Sequence, residues 1–113
     1  HNNQLLVKKE TREVVRLNAK GKALGMREEM DYEEKVTMYS PGDMLLLFTD
    51  GVIEAFGGDD LNIVTGEEKI SQLALQNIDS PPEDFIEKVK KSYHSITEEF
   101  EYKDDFTIFV VTF

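Results

Sequence analysis

Asp43-Met44-Leu45-Leu46-Leu47-Phe48-Thr49-Asp50-Gly51 is the stretch on which the reading of this chain turns. Met44 through Phe48 are all apolar, with Pro41-Gly42 before them and Asp50-Gly51 after. So short a run, with turn residues at both ends, reads as a strand buried on both faces. It ends in a carboxylate followed by glycine, the residue that lets backbone approach most closely. Two readings stand side by side. Asp-Gly after an apolar strand can be an ordinary turn. A rigid strand that delivers Asp50 to the edge of a core also places a metal ligand.

Working outward toward the N-terminus, Leu5-Leu6-Val7 and Val14-Val15-Arg16-Leu17 read as a hairpin with a polar connection between them. Gly21 and Gly25 mark an irregular crossing rather than a helix. Glu34-Lys35-Val36-Thr37-Met38-Tyr39 alternates polar and apolar, the mark of a strand with one wet face. Ser40-Pro41-Gly42-Asp43 then turns the chain into the central run. The first half is therefore expected to be an antiparallel meander of about four strands.

Toward the C-terminus the pattern changes. Val52-Ile53-Glu54-Ala55-Phe56 fits either a helical turn or an extended segment. Thr65-Gly66-Glu67-Glu68 has the form of a capping box. Ile70, Leu73, Ala74 and Ile78 follow it at helical spacing. Ser80-Pro81-Pro82-Glu83 opens a second helix, expected from Pro81 to about Phe100. The apolar stripe of that helix is Phe85, Ile86, Val89, Tyr93, Ile96 and Phe100. Phe106-Thr107-Ile108-Phe109-Val110-Val111-Thr112-Phe113 is β-branched and aromatic, and reads as a second central strand.

Composition narrows the function. The chain has 113 residues and a formal net charge of -10, which fits one globular domain and disfavours binding to nucleic acid or an anionic membrane. There is no cysteine, so thiolate chemistry is excluded and any metal would take mainly oxygen ligands. That absence fits a cytoplasmic location. No apolar run approaches the ~20 residues of a membrane span. The chain begins with His1 rather than Met, as a fragment or a processed product would. His1 and His94 are the only nitrogen candidates for metal; a terminal His and a helix-surface His are poor ones. Asp59-Asp60 lacks the spacing of a calcium loop.

Acidic residues stand at one end of each expected central strand. Asp50 leaves the first, and Asp104-Asp105 precede the last. If the two strands are antiparallel neighbours, three carboxylates converge at one edge of the sheet. They would raise one another's pKa unless a divalent cation relieved the repulsion. If the strands are not neighbours, the acids simply cap strand ends in solvent.

The order of apolar strand, Thr49-Asp50-Gly51-Val52-Ile53-Glu54-Ala55, two helices, Asp104-Asp105-Phe106-Thr107 and a final apolar strand resembles the metal-dependent PPM-type serine/threonine phosphatases. The likeness is strongest to their bacterial SpoIIE/RsbU-like branch and covers essentially the whole chain. His1-Asn2 resembles that branch's Gly-His-Asn, the stretch from Gly21 to Gly25 its Gly-x-x-Leu-Gly, and Thr65-Gly66-Glu67-Glu68 its Phe-Gly-x-Glu.

The resemblance implies that two Mg²⁺ or Mn²⁺ ions activate a water that attacks a phosphoserine or phosphothreonine. It assigns Asp50 and Asp104 as metal ligands. Asp105 is a weaker candidate, Gly51 permits close backbone approach, and Thr107 supports the strand end. It further implies a phosphoprotein substrate such as an anti-sigma-factor antagonist, in bacterial stress signalling.

The family also needs an Asp-Gly motif from an earlier strand, which residues 1–113 do not supply. The chain is therefore expected to be the C-terminal portion of the domain, inactive by itself. The expected fold is α+β, part of an α-β-β-α sandwich, with antiparallel strands and two helices packed on one face. Unpartnered strands predict pairing with a second copy or marginal stability. The alternative function is a non-catalytic interaction domain that keeps the fold.

Overall fold

A computed structural model describes residues 3–21, 25, 28–29, 31–58, 62–99 and 105–113. In chain order the elements are β1 (Gln4–Val7), β2 (Val14–Leu17), β3 (Met44–Phe48), α1 (Asp50–Phe56), α2 (Ile63–Asn77), α3 (Pro82–Glu99) and β4 (Ile108–Thr112). The strands form one antiparallel sheet in the order β2-β1-β3-β4. The architecture is α+β, with the helices on one face of the sheet. Among the described residues three helices lie there, because the segment that fitted either a helix or a strand is the short helix α1.

Register decides which residues meet the helices. Leu5 is opposite Leu46, and Leu46 opposite Val110; Val7 is opposite Met44. These residues and Phe48 share the sheet face that packs against Val52, Ile53, Phe56, Ile70, Ala74, Phe85 and Val89. α3 presents Phe85 and Val89 one turn apart, both buried, as the apolar stripe requires.

Three strand expectations need correction. The Glu34–Tyr39 alternation is not a strand: Val36 is 92% and Met38 79% exposed. β3 pairs directly with β1, so no edge remains for residues 34–39 between the hairpin and β3. They serve as a connection across the sheet, tied down where Lys8 Nζ donates to the Met38 carbonyl at 2.6 Å and where Tyr39 stacks on Phe113 at 4.0 Å. Second, β4 is an edge strand rather than a central one; the central pair is β1 and β3. Third, β3 is buried on one face only. Leu47, Phe109 and Val111 share the opposite face and remain 38%, 66% and 39% exposed.

Helix starts also shift. α2 begins at Ile63, not at Thr65, because the Asn62 side chain accepts the Thr65 N–H at 3.1 Å and acts as the cap. α3 begins at Pro82, with the Asp84 N–H bonded to the Pro81 carbonyl at 3.0 Å. Phe100 lies outside the described residues.

Candidate functional site

The candidate site lies where β3 ends and β4 begins. Phe48 is paired with Ile108 across an antiparallel ladder, so these two ends coincide. Thr49 joins them. Its N–H donates to the Thr107 carbonyl at 3.1 Å, and its hydroxyl accepts the Thr107 N–H at 3.1 Å and donates to the Asp105 carbonyl at 3.0 Å. Thr49 is also the N-cap residue of α1, with φ -86° and ψ 164°. A threonine there would ordinarily cap the helix with its hydroxyl. Here the hydroxyl is spent on the neighbouring strand and makes no cap bond.

The helix therefore starts abruptly at Asp50. Its first turn closes through the Val52 N–H to the Thr49 carbonyl at 3.1 Å. Burial of Gly51, Val52, Ile53, Ala55 and Phe56 turns α1 onto the core and leaves Asp50 exposed at its tip. The carboxylate thus stands at the joint between a central strand and a buried helix.

Of the other residues expected at the site, Gly51 is buried beneath Asp50, and Asp105 is exposed at the start of the β4 segment. Thr107 acts through its backbone, in the bonds to Thr49. Asp104 lies outside the described residues, as do His1 and Asp59-Asp60. His94 is exposed on α3, its ring 6.1 Å from that of Tyr93.

Carboxylate oxygens at this corner have the donor chemistry that Mg²⁺ or Mn²⁺ requires. Among the described residues, no group of three His, Cys, Asp or Glu side chains could hold an ion. The donor type fits, and among the described residues the donor set is incomplete.

Concavity points elsewhere. A hollow of about 490 Å³ lies between α2 and α3 over Phe56, Leu73 and Ile96, and one of about 530 Å³ lies beside Gln4, Arg16, Leu17 and Lys35. Neither is lined by a carboxylate, so the chemistry of the strand ends, not cavity size, locates the site.

Two features escaped the reading of residue types. Asp43 and Glu67 are buried acids, at 1% and 5% exposure. Asp43 follows a Pro-Gly turn and binds back into it; Glu67 sits one residue after Gly66 near the start of α2. Asp43 had a readable signal, since a carboxylate just after Ser-Pro-Gly can accept the turn's own N–H groups. Glu67 had none, because its partners, Asn3 and Arg16, are far away in sequence.

A family model described as Stage II sporulation protein E (SpoIIE) matches residues 1–113. The chain belongs to the SpoIIE family. The phosphoserine phosphatase RsbU of Bacillus subtilis (strain 168) is 28% identical over 95 residues, which cover 84% of this chain and 27% of RsbU. The chain therefore spans about a quarter of the length of the curated relative that it matches. No solved structure matches. Family and relative agree with the SpoIIE/RsbU-like PPM phosphatase resemblance drawn from the motifs.

Proposed function

We propose that this SpoIIE-family chain contributes one side of the metal site of a protein phosphatase acting on phosphoserine or phosphothreonine. One observation supports this reading above the others. Thr49 ties the end of β3 to the start of β4, so Asp50 and Asp105 belong to one corner of the sheet. Asp50 and Asp104 would hold Mg²⁺ or Mn²⁺, with Asp105 a lesser candidate. The remaining donors would come from outside residues 1–113.

When bound, the metal would lower the pKa of a water and stabilise the attacking and leaving oxygens of a phosphoryl transfer. The chain's own part is orientation. Thr49 and Thr107 hold the strand ends together. The RsbU likeness supports a phosphoserine substrate; the SpoIIE/RsbU-like resemblance extends this to a phosphoprotein such as an anti-sigma-factor antagonist in bacterial signalling.

Mn²⁺ titration and phosphoserine-protein hydrolysis by the full-length protein test the proposal. Asp50→Asn is expected to weaken Mn²⁺ binding by at least about 10-fold, as even indirect ligand-supporting residues do, and to abolish turnover. Unchanged Mn²⁺ affinity would remove Asp50 from the site. Metal binding without hydrolysis of any phosphoprotein would favour the non-catalytic interaction domain. Residues 1–113 alone are expected to bind Mn²⁺ weakly and to turn over no substrate.

A further inference from the structure

α1 carries Asp50 at its first position, so the placement of α1 sets the placement of that carboxylate. α1 packs directly against the start of α2. At Gly66 the two helices approach so closely that a Cβ on this residue would lie 2.1 Å from the Ile53 carbonyl oxygen and 2.9 Å from its carbon. No side chain fits there, and the obstructing atoms are backbone, which cannot rotate aside. The next residue, Glu67, is buried and anchored at both oxygens. Oε1 accepts from Asn3 Nδ2 at 3.1 Å, and Oε2 accepts from Arg16 Nε at 2.6 Å. Asn3 immediately precedes β1, and Arg16 lies on β2. One turn of α2 is thus pressed against α1 by Gly66 and fixed to the sheet by Glu67.

We infer that Gly66 and Glu67 are positioning residues for Asp50, setting the depth and angle of α1 so that its first carboxylate stands at the β3–β4 corner. This rests on the reading of Asp50 as a metal ligand given above. Neither residue belongs to the β3–β4 corner; both lie on α2. Gly66 acts through the Ile53 backbone one turn along α1, and Glu67 acts through the seating of α2. Asp43, at the opposite end of β3, provides a contrast: it is a buried carboxylate whose loss would weaken the fold without moving α1.

The experiment measures Mn²⁺ affinity by electron paramagnetic resonance, with thermal melting, in the full-length protein and four variants: Gly66→Ala, Glu67→Gln, Asp43→Asn and Asp50→Asn. Expected for Gly66→Ala and Glu67→Gln is a loss of about 10-fold or more in Mn²⁺ affinity of the folded protein, the range typical of residues that orient ligands. Hydrolysis should recover when Mn²⁺ is raised to saturation. Asp43→Asn is expected to melt at lower temperature with Mn²⁺ affinity within twofold of the parent.

If Gly66→Ala and Glu67→Gln melt early yet bind Mn²⁺ as the parent does, the positioning role is overturned. Should Gly66→Ala not fold, the nearly isosteric Glu67→Gln decides by the same criterion. Asp50→Asn separates the metal-ligand role of Asp50 from the positioning role of α2. Unchanged affinity in that variant refutes the metal reading itself, whereas loss there with no loss in the α2 variants refutes only the positioning.

Discussion

Asp43 shows what a buried carboxylate needs. Oδ1 accepts the Lys9 N–H at 3.0 Å; Oδ2 accepts the Ser40 N–H at 2.8 Å and faces Lys8 Nζ at 3.2 Å. Gly42, at φ +91°, makes the turn that brings Ser40 and Asp43 together, and a side chain there would strike Lys9. Burial pushes the Asp43 pKa up, but the Ser40 and Lys9 N–H bonds and the Lys8 ammonium outweigh it, leaving the net below the ordinary 3.8. A depressed folded-state pKa stabilises the fold above the unfolded-state value and loses that contribution as pH falls through the folded value. Asp43→Asn is therefore expected to cost about 2–3 kcal/mol near neutral pH. The gap from the parent, read from urea midpoints, should narrow below about pH 4. A gap independent of pH would show that the charge contributes nothing.

At the scale of elements, the start of α2 gives a sharp test. The sequence pattern favours Thr65 as the cap, whereas Asn62 holds that role in three dimensions. Asn62→Ala is expected to destabilise by about 1 kcal/mol. Thr65→Ala should stay within about 0.5 kcal/mol, because Thr65 supplies only its backbone N–H to the cap. Denaturant titration distinguishes the two, and a larger loss at Thr65 would restore the capping box. In α3, Phe85 is fully buried in the core shared with β3 and α1. Phe85→Ala is expected to cost about 3–5 kcal/mol.

At the scale of the whole molecule, the helices among the described residues cover the sheet on one side. Leu47, Phe109 and Val111 line the other side on the β3–β4 half, and among the described residues no strand pairs with the outer edge of β4. Residues 106–113 contain no charged side chain, so the usual protection of an edge strand is missing there. The 113-residue chain is predicted to self-associate as its concentration rises, and Phe109→Lys to suppress this. Sedimentation velocity checks both. A parent chain that stays monomeric across the concentration series would refute the prediction. Charge acts in the opposite direction, since a net charge of -10 repels a second copy, and added salt should strengthen the association.

The sequence by itself determined the element types wherever a local signal was strong. The apolar run before Asp50, the hairpin, the Pro-marked start of α3 and the β-branched final strand are all legible because strand and helix periodicities are local. The motif pair around Asp50 and Asp104 was legible for the same reason, since its residue types and spacing are written in order along the chain. Residues 34–39 misled because alternation describes a segment's two faces without saying whether a sheet edge is free to receive it; β1 had already taken the place beside β3. Only the tertiary structure decided that β4 is an edge, that Gly66 is the contact between α1 and α2, and that Glu67 reaches Arg16 and Asn3. Each of these is a relation between residues far apart in sequence. Packing and hydrogen-bond satisfaction in three dimensions set such relations, and no local propensity encodes them.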